Sequence, residues 1–503
     1  MTQISTPTKL GGQATFFLIG NIFTLIVGFP LQIYVTRVLG ADGLGVFSLL
    51  EGGVGLVSGL IGFGLAPTLV KFIPGYLAEQ KYDCIKALVL KGIFILLGTG
   101  LLVYGVGWIA LPWIEVQWPQ LQHHHWDVVL MGSAVPLGLL VFYLSQGLRG
   151  FQEIRYMVIG SSFLQLTVKA GLAILLLGLG LGLIGYIGAV IVSMLVALLW
   201  LSVGLLRKIK SLPKNEKSAD ICDSKPWVKY ASIMYGNSLL GVSTIYLDRF
   251  LIGLFVNVSA VGVLVVIKQL QQLPVIFLQM FIAVAAPMFS AAHARNDKEE
   301  RQHIFHLTTD WVVRASMPLF MFLILFSAPF LNLYGEEFVQ PGLWPLWLLI
   351  GGQLVNLMCG PIGNVLNMSG MESQMLRISV VQAVLTVLGL VIFVPEYGLI
   401  GAAGVLTAGI LFTNGTALYL AKKHIQLRWW DRRYLKWVMP TVAACATGMI
   451  LLSLEPRPGP FGLLACLVAL YIVFHGVSIL QGLHDDDREL LSHLFNQLKG
   501  RAV

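Results

Sequence analysis

The sequence predicts an all-α polytopic membrane protein of about fourteen transmembrane helices, and three observations carry that reading. Hydrophobic residues make up 56% of the 503, charged residues only 12%, and the mean hydropathy is +0.80. An ordinary soluble domain is about a quarter charged. Apolar runs of membrane-spanning length recur along the chain, and lysine and arginine collect in alternate connecting segments. This composition excludes a large soluble domain. The net charge of +8 reflects membrane topology rather than nucleic-acid binding, because the basic residues alternate from loop to loop.

A membrane helix needs ~20 apolar residues. Hydropathy, broken at glycine, proline and charged clusters, places candidate spans at 14–36, 44–69, 85–110, 127–148, 158–179, 184–206, 230–256, 261–288, 311–333, 343–366, 375–395, 399–421, 437–454 and 460–480. The first is expected to be retained: residues 1–10 are polar, and the apolar run from Ala14 is too long for a signal peptide.

Orientation follows from the basic residues. With the N-terminus in the cytoplasm, that side receives Lys71, Lys81, Lys86, Arg149, Arg155, the seven from Arg207 to Lys229, Arg295, Lys298, Arg301, Arg377, Lys422 through Lys436 and the tail. The opposite loops hold Arg37 and Arg457 but also Glu115, Glu336, Glu337, Glu396 and Glu455. Both termini are therefore expected inside. Trp108, Trp113, Trp118, Trp126, Trp344, Trp429, Trp430 and Trp437 fall at span ends, where amphipathic rings sit at headgroup level.

The longest polar interruption, residues 207–229, reads as a cytoplasmic linker. Around it the chain echoes itself: Gly20-Asn21, Gly45-Val46 and Ala66-Pro67 against Gly236-Asn237, Gly262-Val263 and Ala286-Pro287, at offsets of 216, 217 and 220. Six spans before the linker make the two halves parallel repeats. The expected organisation is a six-helix bundle at 1–206, the linker at 207–229, a second pseudo-symmetric six-helix bundle at 230–421, and two additional helices with a tail at 422–503. The five cysteines lack paired spacing and read as apolar packers. Glycines within spans let helices approach closely, or let them bend together with Pro30, Pro67, Pro136, Pro274 and Pro287.

Charges inside spans are costly and mark interiors or water-filled cavities. Asp248 and Arg249 lie side by side in the seventh span, pointing about 100° apart. Other spans carry Glu51, Lys91, Lys169, Lys268 and Arg314 among amides including Asn21, Gln32, Asn237, Gln353, Asn356, Asn364 and Gln382. Lys268-Gln269 with Gln271-Gln272 is the densest polar group in any span. Cations and amide donors suit an anionic, hydroxyl-rich ligand. Substrate contact is therefore assigned to Lys268, Lys169, Arg249, Lys91, Gln269 and Gln272. Glu51 reads as a structural partner of a lysine or as an ion-coupling carboxylate. Arg249 reads equally as an anchor near the outer interface, and Arg314 and Lys91 as snorkelling cations. His123-His124-His125 reads as solvated loop, with no metal site and no cofactor expected. No nucleotide motif or catalytic triad spacing is present.

The stretches YVTRVLGADGLGVFSLL (Tyr34 to Leu50), GLRGFQEIRY (Gly147 to Tyr156), YLDRFLIGLFVNVSAVGVL (Tyr246 to Leu264) and GPIGNVLNMSGMES (Gly360 to Ser373) carry a resemblance. In order and spacing they resemble the polysaccharide transporter family, the repeat-unit flippases, of the multidrug/oligosaccharidyl-lipid/polysaccharide exporter superfamily. The resemblance implies two six-helix bundles around a central cavity plus two further helices. It also implies export of a lipid-pyrophosphate-linked oligosaccharide from the inner to the outer leaflet of the plasma membrane. Arg37, Asp248, Arg249 and Asn364 are its motif positions, with Asp248 and Glu51 the carboxylates available for ion coupling. The implied partners are the lipid-linked oligosaccharide, membrane lipids and polysaccharide polymerase or export machinery, with no nucleic acid. Two rival readings stand beside it: a cation-coupled multidrug exporter, which needs intramembrane carboxylates, and a membrane polymerase or ligase, which needs a sizeable external loop.

Overall fold

The computed structural model describes residues 6–117, 123–213, 225–482 and 487–488. The centre of the expected linker, Trp118, Cys222 and most of the C-terminal tail lie outside them. Every regular element among the described residues is helical, as the bilayer requires of a chain that must satisfy its own backbone hydrogen bonds. Nine helices there are long and apolar enough to span a membrane, or eleven if each of two bent pairs forms one span. The protein is a multi-pass membrane protein.

The difference from about fourteen includes two merged hairpins. Helix α1 (Thr6–Ile61) is two helices meeting at Gly40, whose φ of 69° and ψ of −177° are non-helical. Gly398 (φ 55°, ψ −134°) does the same within α16 (Glu372–Ile425). Positive φ is cheap only without a Cβ, so each joint falls on glycine. Between them lie α2 (Leu65–Ala78), α3 (Tyr82–Gln117), α4 (His125–Gly132), α5 (Ala134–Gly150), α6 (Ile154–Val158), α7 (Gln165–Gly178), α8 (Gly182–Lys210), α9 (Lys225–Phe255), α10 (Val258–Gln272), α11 (Val275–Ala294), α12 (Lys298–Leu325), α13 (Ser327–Asn332), α14 (Val339–Met358) and α15 (Ile362–Met368). A π-helical stretch, Ile159–Leu164, joins α6 to α7. After α16 come α17 (Val438–Leu454) and α18 (Pro460–Leu480).

Several expected boundaries moved, two of them for visible local reasons. Residues 65–69 open the separate helix α2 instead of closing the second span. The ninth span, expected at 311–333, begins at Lys298, where Asp297 accepts the Glu300 backbone N–H and two glutamates occupy the first turn. That cap suits the positive end of the helix dipole. Pro274, which cannot donate a backbone N–H, sits where α10 and α11 meet at 45°, and Pro361 where α14 and α15 meet at 43°.

The chain divides into two compact units, Met1–Gly262 and Val263–Val503, the division falling within α10. In the first, the second limb of α1 packs on α9, while Leu31, Val35, Phe47, Met131, Ala173 and Tyr186 form one of its cores. Close approach there uses two glycines of the sequence echo. A Cβ on Gly45 would stand 2.0 Å from the Val258 carbonyl oxygen, and one on Gly262 2.2 Å from that of Ala41. In lipid such contact replaces the hydrophobic drive available in water. In the second unit, Phe289, Phe305, Ile362, Leu366, Ala417 and Ala421 bind α11, α12, α15 and α16 into a core. Cys84 is disulfide-bonded, contrary to the expectation that all cysteines are plain packers, whereas Cys359, Cys445 and Cys466 are free thiols.

Candidate functional site

In the first unit Glu51, Asp248 and Arg249, three charges set in apolar stretches, come together. Ser48 and Glu51 lie three residues apart on α1, and Tyr246 and Arg249 three apart on α9, a spacing that puts each pair on one helix face. Because the two helices pack together, Arg249 Nη1 donates to Glu51 Oε2 at 2.9 Å and to the Ser48 carbonyl at 3.3 Å. The guanidinium carbon stands 5.3 Å from the centre of the Tyr246 ring, within cation–π range. Asp248 is buried, and its Oδ1 accepts the Arg249 backbone N–H at 2.8 Å.

This site is open on its acidic side. The Arg249 side chain is 15% exposed and that of Glu51 47%. Arg249 Nε is buried and makes no hydrogen bond, which leaves a donor to spare. Lys169, half-buried on α7, lies within the electrostatic reach of Glu51, as do Tyr186 on α8 and Tyr246. Glu51 therefore accepts from Arg249 and acts on Lys169 only through its field. An anion arriving there meets Arg249 and Lys169, with Glu51 and Asp248 as the opposing charges.

The second unit holds the other polar group. Lys268 and Gln269 are half-buried near the end of α10, Gln271 is buried and Gln272 exposed. Gln271 Oε1 is buried without a hydrogen bond. All four precede the bend at Pro274, so the densest amide cluster sits where the helix backbone is interrupted. A second chain of amides links α14 to α16: Asn356 donates to Gln353 at 2.9 Å, and Asn414 donates to Asn356 at 3.0 Å.

The remaining sequence candidates are dispersed. Arg37, on the first limb of α1, and Lys91, on α3, are exposed, while Asn364 on α15 is half-buried. Arg314 does not snorkel to water. It binds Asp310 at 2.6 Å and Asp487 at 2.7 Å, with Trp437 and Trp311 donating to those same two carboxylates. The consecutive histidines are not simply solvated: His124 pairs with Asp127 at 2.7 Å and His125 with Glu115 at 2.8 Å. Among the described residues no group of three or more histidine, cysteine or acidic side chains is placed to hold a metal. Sequence reasoning missed Tyr246 and Asn414. The first had a signal, its position one helical turn before Arg249; the second had none beyond being an amide in an apolar run.

A family model described as polysaccharide biosynthesis protein matches residues 11–293, more than half of the chain. A relative in Haloferax volcanii, a probable low-salt glycan biosynthesis flippase named Agl15, is 24% identical over 409 residues, 80% of each chain. Among solved structures, the lipid II flippase MurJ in an inward closed conformation superposes with a TM-score of 0.67 at 12% identity, covering 92% of this chain and 98% of that one. An inward-facing multidrug resistance MATE family transporter of the MOP superfamily gives 0.64 at 15% identity, covering 80% and 94%. At such identities these two structures establish a shared fold.

Proposed function

The chain belongs to the polysaccharide biosynthesis protein family, and from that premise we propose that it is a membrane transporter, a flippase for a lipid-linked saccharide. It moves a lipid-pyrophosphate-linked oligosaccharide from the cytoplasmic to the outer leaflet by alternating access, for export of cell-surface polysaccharide. The observation that carries this reading is the half-open contact of Arg249 with Glu51 in the first unit, with Lys169 within electrostatic reach of that carboxylate. A diphosphate and its sugars cannot cross bare hydrocarbon, whereas the lipid chain gains ~0.8 kcal/mol for each methylene kept there. The protein must supply a polar, cationic path beside the bilayer. Lys268, Lys169, Arg249 and Lys91 receive the diphosphate, and Gln269 and Gln272 its hydroxyl-rich sugars. Asp248, Glu51, Arg37 and Asn364 set the charge balance or couple an ion.

In this mechanism two six-helix bundles, 1–206 and 230–421, rock about the linker 207–229, with 422–503 appended. The protein works in the plasma membrane with both termini in the cytoplasm, beside the polymerase or export machinery that uses its product. The names of the Haloferax volcanii relative and of MurJ support a lipid-linked glycan as cargo.

The test is a reconstituted flip assay, in which a fluorescent lipid-diphosphate oligosaccharide is followed by its accessibility to an impermeant quencher. Protein-dependent crossing without lengthening of the glycan is expected, lost in Lys268→Glu. Transport of a cationic drug instead, driven by an ion gradient, would establish the exporter reading. Glycan lengthening would establish a polymerase.

A further inference from the structure

The first unit also contains a half-open cavity of about 360 Å³ lined by the second limb of α1, α3, α4, the start of α5 and α9. Its walls include Leu50, Val54, Leu111, Met131 and Phe250, with Trp108 at the rim. Leu111 and Met131 are buried, whereas Trp108 is 62% exposed. The volume lies in the range of ~300–1,000 Å³ typical of small-molecule sites. The walls are almost wholly apolar, so water gains little there and an apolar guest is favoured. The space is a feature of the backbone as well as of the side chains: a Cβ added at Gly107, on the α3 wall, would meet nothing within 4 Å.

Its position gives the cavity a meaning. Leu50 precedes Glu51 on α1, and Phe250 follows Arg249 on α9. Consecutive helical residues point about 100° apart. The same turns of the same two helices thus present the charged cluster on one face and the apolar wall on the next. The indole at the rim belongs where membrane meets water. A hydrocarbon chain in this cavity would lie one residue along each helix from Glu51 and Arg249.

We propose that the cavity is the binding site for the hydrocarbon chain of the lipid-linked substrate, holding the segment next to the diphosphate while Arg249 and Lys169 engage the headgroup. The inference rests on the flippase reading above and adds to it a named place for the lipid. Filling the cavity restores dispersion contacts that its walls otherwise forgo. It also keeps the chain from drifting into bulk lipid while the headgroup is transferred.

The experiment uses the full chain in phosphatidylcholine vesicles with two photoreactive probes. One is a prenyl-diphosphate oligosaccharide bearing a diazirine on its chain, the other a phosphatidylcholine bearing a diazirine on an acyl chain. Flipping is recorded in the same vesicles. The expected result is labelling of α1, α3 and α4 by the prenyl probe, competed away by unlabelled prenyl-diphosphate glycan and lost in Gly107→Phe and Val54→Trp. Competition in the wild type decides the matter should either variant fail to fold. Equal labelling by the phosphatidylcholine probe, undiminished by the glycan lipid, would overturn the proposal and leave a site for bulk acyl chains. Flipping without labelling of these helices would overturn it while leaving the flippase reading intact. Absence of both would overturn the two together.

Discussion

Two arginines inside the apolar spans of this protein have opposite surroundings. Arg314, in the second unit, is held by two carboxylates, Asp310 and Asp487, and both acids receive an indole N–H as well. Around Glu51, in the first unit, the contact is more open: a half-exposed carboxylate accepts from Arg249 and lies within electrostatic reach of Lys169, with Asp248 buried beside the arginine. A cation saturated by two acids has nothing to offer a passing anion. A cation whose partner acid is half exposed does. The difference separates a structural clamp from a candidate binding site, although both began as charges in apolar sequence.

The largest expected effect falls on the clamp. Arg314→Ala strands Asp310 and Asp487 and should cost about 3–5 kcal/mol, the usual consequence of removing one partner from a buried ion pair. Denaturant unfolding in detergent measures it, and a loss under 1 kcal/mol would show that the clamp is dispensable.

Next comes Glu51→Gln, which removes the carboxylate that accepts from Arg249. Because Glu51 is about half exposed, the variant should stay within ~1 kcal/mol of the parent stability. Binding of a short-chain prenyl diphosphate, read by calorimetric titration, should tighten by about tenfold, or ~1.4 kcal/mol. Unchanged or weaker binding would mean that Glu51 does not compete with the ligand for Arg249 and Lys169.

The smallest effect concerns pH at another charged contact of the second unit. Burial pushes the Asp431 carboxyl up, but the Arg433 backbone N–H at 2.8 Å, its guanidinium and His306 outweigh burial and hold it below its ordinary 3.8. A depressed carboxyl stabilises the fold above its ordinary pKa, and that stabilisation is lost as pH falls through the folded value. Asp431→Asn should therefore be less stable than the parent at neutral pH, with the gap closing as the pH drops below 3.8. A gap constant with pH would assign the effect to packing.

Much of the fold was legible because the bilayer leaves few choices. Apolar length, glycine and basic loops carry the helices, and the helical ends that shifted, at Leu65 and Lys298, are set by local turns and a polar cap. The site was legible in residue type but not in pairing. Arg249 and Glu51 meet across 198 residues of chain, and Arg314 and Asp487 across 173. No local periodicity reports such contacts, since they depend on which helices pack. The same ignorance made Arg314 resemble a snorkelling residue and left Asn414 unnoticed. The three-residue spacing of Tyr246 and Arg249, by contrast, was available from helix geometry alone.

If the protein is a flippase of this kind, the cations around Glu51 must carry an anionic lipid headgroup. The direct measurement is the flip rate of a lipid-diphosphate oligosaccharide in vesicles containing the parent or Lys169→Glu, with transport of a cationic drug recorded in parallel. The account predicts at least a tenfold loss of flipping, ~1.4 kcal/mol of discrimination, in a variant that remains folded and reconstituted, without gain of lipid flipping at any ion gradient. Undiminished flipping by Lys169→Glu would contradict it.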